Sequence, residues 1–191
     1  MSKRLAQVIV VLAVLCGSIA YAMPVLTLTP SGNVAGNPGA TVGWGFSLMN
    51  DTGFFLLVDG SFFCQPGQDP QFNTCTQTQG TYTDYIAANA TLVSPNSTAS
   101  QSFMQGSPGM GVGQYTISSS AVFPAMDSGK IFVRFQEFNG NPFMGGTQAS
   151  GDIEISALAS VTVAPEPATF ALFGAGLAGL GLLRFRRRSR R

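Results

Sequence analysis

Apolar residues at every second position constrain this chain more than any other feature. Val42, Trp44, Phe46 and Leu48 alternate with Thr41, Gly43, Gly45 and Ser47. A helix scatters such a series around its axis, whereas a strand puts it on one face. The period returns in Ile131, Val133 and Phe135, with Phe132, Arg134 and Gln136 facing the other way, then in Ile153 and Ile155, and in Val161 and Val163. Shorter candidates lie at 25–28, 54–58, 82–86, 91–93, 100–104 and 114–118, punctuated by turns such as Asn50-Asp51-Thr52-Gly53, Asp59-Gly60 and Asn139-Gly140. About eight to ten short strands without a long amphipathic helix predict a mainly β fold, an antiparallel Ig-like or jelly-roll-type β-sandwich. Fifteen phenylalanines suit the space between two such sheets.

The two ends have a different character. Lys3 and Arg4 open the chain, residues 5–15 are apolar except for Gln7, and Ala20-Tyr21-Ala22 is a small-x-small cleavage site. Residues 1–22 therefore read as a signal peptide with an N-terminal signal helix, cut by signal peptidase after Ala22. Cys16 follows Leu15, too large a residue for a lipoprotein cleavage site, and reads as an apolar filler of that helix. At the other end, Pro165-Glu166-Pro167 precedes sixteen uncharged residues, 168–183, and then Arg184, Arg186, Arg187, Arg188, Arg190 and Arg191. As a helix the apolar stretch covers about 24 Å, short of the roughly 30 Å hydrocarbon layer, so it is a marginal transmembrane helix that relies on Arg184 to snorkel. The arginines place the C-terminus in the cytoplasm. Residues 23–163 are then one extracytoplasmic domain and 164–191 a sorting tail, with the prolines acting as a stiff spacer.

Those three parts, in that order, resemble the PEP-CTERM sorting signal, a tail also known as an ice-binding protein C-terminal domain although the motif itself does not bind ice. The resemblance covers 165–191 alone. It implies an exosortase, a membrane-embedded cysteine protease, acting at Pro165-Glu166-Pro167. It also implies transient residence in the inner membrane of a Gram-negative bacterium, and a mature domain at the cell surface, in the periplasm or in the extracellular matrix. Exopolysaccharide is a candidate partner.

Charge divides in the same way. Residues 23–167 keep Lys130 and Arg134 against all nine acids, a balance of minus seven. Such a surface repels phosphate, which argues against nucleic acid.

Chemistry is sparse. The chain has no histidine, which removes Ser-His-Asp and Cys-His machinery. Asp152 and Glu154 would share a strand face, the one acid pair a glycosidase reading could use; solubilising residues are the plainer account. Asp51, Asp59, Asp69, Asp84 and Asp127 each adjoin turn residues and read as turn caps rather than calcium ligands. Cys64 and Cys75 are the even pair of an exported chain and read as a disulfide clipping a loop; no metal site and no cofactor are expected. Gly174, Gly176 and Gly179 fit a dinucleotide fingerprint by letter but lie inside the apolar tail, and residues 106–113 read as a flexible loop. Asn50, Asn89 and Asn96 head sequons better explained as turn asparagines, and no Thr-x-Thr ladder supports an ice-binding face. The expectation is a non-catalytic structural protein of the envelope or matrix. A surface carbohydrate- or partner-binding module is the alternative, favoured if Tyr82, Tyr85 or Tyr115 cluster on an exposed face. A secreted carboxylate-dependent hydrolase comes third.

Overall fold

The computed structural model describes residues 22–69, 75–165 and 172–178. Eleven strands make two sheets: β1 (Val25–Thr29), β2 (Asn33–Gly36), β3 (Thr41–Asn50), β4 (Phe55–Cys64), β5 (Gly80–Asp84), β6 (Thr91–Val93), β7 (Ser97–Gln101), β8 (Gly113–Ile117), β9 (Met126–Asn139), β10 (Thr147–Gln148) and β11 (Ile153–Val163). The smaller sheet has the order β1-β3-β8-β5, with β7 also paired to β3; the larger runs β2-β11-β9-β4-β6, with β10 on β9. Trp44, Phe46 and Leu48 from one sheet and Leu56, Val58, Phe63, Ile131, Val133, Phe135 and Val161 from the other bury their side chains in a shared core. Trp44 stacks on Phe63 with ring centroids 5.9 Å apart. The alternation read from the sequence is thus the inward face of each long strand.

Several features depart from that reading. Asp59-Gly60 does not end the fourth strand: β4 continues to Cys64 across a bulge between Val58 and Gly60, where Arg134 is opposite Gly60. A bulge keeps the strand going while re-aiming one side chain, here Asp59, toward Arg134. The sandwich is also not purely antiparallel, because β2 pairs with β11 in parallel. Residues 30–32 carry the chain from β1 in the smaller sheet to β2 in the larger, a strand that switches sheets at a bend and so keeps its direction. The two β11 fragments visible in sequence are one strand, since Ala157 and Ala159 continue the inward series without a bulky signal.

The smaller sheet's outer face is covered over Gly43, where an added Cβ would strike the Phe103 ring. Phe103 stacks on Tyr85 at 6.2 Å. The glycine-rich segment behind it is tied down rather than loose: the Gly106 amide donates to the Tyr85 hydroxyl at 2.9 Å and the Gly109 amide to the Tyr85 carbonyl at 3.0 Å.

The ends of the domain lie far apart. Ala22 and Met23 line a hollow with Glu137 and Ile153, where β11 begins. Val163 leaves from the far end of β11, donating to the Ala125 carbonyl at 2.9 Å. Ten residue steps of strand separate those points by about 33 Å.

Candidate functional site

The outer face of the larger sheet is where the domain concentrates its charge. Outward residues fall into cross-strand rows set by register: Phe62 opposite Phe132, Gly60 opposite Arg134, and Glu154 opposite Arg134 on the other side. Arg134 donates from Nε to Asp59 Oδ1 at 3.1 Å, lies 4.0 Å from Asp152, and spreads its guanidinium 5.4 Å from the Phe62 ring centre. Gln136 Nε2 donates to Asp152 at 2.8 Å. Asp152 and Glu154 do share a face, with Phe132 and Arg134, around an open hollow of about 540 Å³. Burial raises the Glu154 carboxyl above its ordinary range; Asp69 and Asp152 add to that rise and Arg134 opposes it.

Beside this cluster lies a groove of about 520 Å³ whose floor includes Phe132, Lys130 and Leu158 and whose wall is the turn at 65–68. That turn stays in place because Cys64 and Cys75 are joined in a disulfide, as their pairing in sequence predicted. Gln68 continues the clip, accepting from the Gln65 amide at 2.9 Å and the Thr76 amide at 3.2 Å.

Two sequence readings need correction. Asp127 is not a surface turn cap: it is fully buried and accepts from the Thr78 and Gln79 amides at 3.0 and 2.9 Å, from Gln65 Nε2 at 2.8 Å, and from the Thr78 and Tyr115 hydroxyls. Position 127 continues the alternation Val133, Ile131, Gly129 inward, and that parity was the available signal. Tyr85 and Tyr115 do not form an exposed aromatic face either; both are buried. Burial, and then the hydrogen bond to Asp127, holds the Tyr115 phenol well above the ordinary tyrosine range. Burial does the same for the Tyr82 hydroxyl, which meets Ser61 at 2.8 Å. Asn50 is a turn asparagine as read, its Oδ1 accepting from the Thr52 amide at 3.0 Å, and it is also buried, its amide donating to the Phe54 and Ser94 carbonyls at 2.8 and 2.9 Å. Asp84 is a cap as read, accepting from the Ile86 amide at 2.8 Å and from Ser61 at 2.5 Å.

The tail begins two residues past the last strand, at Pro165. Residues 172–178 are helical. Among the described residues no helix is long and apolar enough to cross a membrane. Ala20, Glu166, Pro167, the terminal arginines, the signal helix and most of the 168–183 helix lie outside the described residues. In comparison with known families, residues 163–188 match the PEP-CTERM protein-sorting motif. No curated protein is significantly similar to the chain.

Proposed function

We propose, from a chain that carries a PEP-CTERM sorting motif directly behind a folded β domain, that this protein is an exported, non-catalytic envelope or matrix component delivered by exosortase. The motif supports an exported precursor that passes through the membrane, and exosortase as its partner. The single observation that carries the reading is the junction: Val163 closes β11, and Pro165 follows after one residue, Ala164. Proline cannot extend a ladder and disfavours helix in the residue before it, so the sequence Pro165-Glu166-Pro167 favours the extended form that proteases bind. Being the one charge there, Glu166 is a specificity handle for a basic subsite. Replacement of Glu166 by Gln should leave an uncut, membrane-bound precursor when the mass of the protein is measured in cells with an exosortase. An unchanged mature mass would overturn the reading.

For the domain, the strand order β1-β3-β8-β5 against β11-β9-β4 supports an immunoglobulin-like sandwich, the ABED and GFC sheets of that fold. A structural role is supported by Arg134, which pairs with Asp59 of β4 and lies 4.0 Å from Asp152 just before β11, so that these carboxylates are engaged by a cation. The second reading, a surface that binds exopolysaccharide, is favoured by the groove over Phe132 and Leu158. An aromatic floor beside carboxylates and an arginine suits the apolar and hydroxylated faces of a sugar.

A further inference from the structure

The end of the sandwich from which the tail departs has its own composition. Residues 36–40, 117–126 and 159–165 converge there: Val163 donates to Ala125, the Ala164 amide to Gly36 at 2.8 Å, and the Gly39 amide to Ile117 at 3.2 Å. None of these segments contains Lys, Arg, Asp or Glu. The charge next along β9, Asp127, is buried and satisfied by its donors. Three apolar side chains stand out from this end, Val122 at 73% exposure, Phe123 at 53% and Met126 at 54%. Ser118, Ser119 and Ser120 edge them with hydroxyls, and the Ala125 amide closes the Val122 turn at 2.8 Å.

We infer that this end of the domain rests on lipid while the precursor is held by its tail, with Val122, Phe123 and Met126 in the interfacial layer. The inference builds on the sorting-tail reading above. Its argument is reach. From Pro165 to Ala168, where the apolar run begins, is three residues, at most about 10 Å of extended chain. The headgroup layer on each side of a bilayer is itself about 5–8 Å thick. A plug of about 24 Å in a hydrocarbon layer of about 30 Å draws its flanks inward further. A charged end would resist that position; an uncharged one with protruding apolar side chains and a hydroxyl rim fits it. Because no charge takes part, the contact needs no anionic lipid.

The test uses the precursor after signal-peptide removal, residues 23–191 with the whole tail, in phosphatidylcholine vesicles whose acyl chains are brominated near the headgroup. The native Trp44 is fully buried and serves as an unquenched internal reference. Phe123→Trp should add emission that is largely lost to the bromine, whereas Phe143→Trp, at the other end of β9, should add emission that is not. Because Phe123 is half exposed, a Val122→Trp variant gives the same reading independently. If alkaline carbonate strips the precursor from the vesicles, the tail reading fails and this inference falls with it. If the precursor resists carbonate and neither added tryptophan is quenched, the lipid contact alone is overturned. Quenching that appears only with anionic lipid would likewise overturn the uncharged contact.

Discussion

Two polar clusters of the domain solve the problem of holding a carboxylate in opposite ways. Asp127 is removed from water completely and, among the described residues, has no cation; amide, hydroxyl and carboxamide donors surround it instead. Asp59, Asp152 and Glu154 stay at the surface and gather round a single guanidinium. Backbone amides are fixed by the fold, so a carboxylate that uses them locks β9 to residues 78–79, in the segment leading to β5. An exposed ion pair trades its modest Coulomb gain against side-chain entropy and salt screening, and locks little. The first cluster is therefore architecture, and the second is exposed surface.

The largest effect should come from the buried cluster. Asp127→Ala strands several buried donors and should cost about 3–5 kcal/mol in denaturant unfolding, with Asp127→Asn falling between it and the native chain. A loss below that of an ordinary surface change would erase the contrast. Next is the clip that touches both clusters, since its loop brings Gln65 to Asp127 and Asp69 toward Glu154. Serine at both Cys64 and Cys75 should lower stability by about 2–3 kcal/mol for a bridge across a separation of 11 residues. Smallest is the surface cluster: Arg134→Leu should change unfolding free energy by less than about 1 kcal/mol. Its pH behaviour sharpens the point. The raised Glu154 carboxyl favours the folded state most below the ordinary glutamate value of 4.5 and loses that contribution as pH rises through its elevated pKa. Glu154→Gln should flatten stability across that window, and an unaltered pH slope would show that the shift has no energetic weight.

How far sequence reached differs between these regions for physical reasons. Period two is a statement about faces, so the inward residues of β3, β9 and β11 were legible, as was the disulfide. Asp59-Gly60 misled because turn residues also make bulges, and only the partner Arg134 across the ladder decides which. The short β2, Asn33–Gly36, carries almost no apolar alternation and exists through its pairing with β11. Asp127 was hidden because its donors come from residues 12 to 62 positions away, and a local reading sees only its neighbours. Arg134 and its acids were visible as charges but not as a cluster, for the same reason. The sorting tail, a linear message, needed no fold to be read.

Because Ala22 and Val163 depart from opposite poles, the folded body is a pillar some ten strand steps tall. If the proposed leader and tail both anchor it, such a pillar would lie along the bilayer, and release of the leader end would let it rise. On the proposed leader and tail readings, removal of the leader would set posture as well as size, and would make the new amino terminus the point farthest from the lipid.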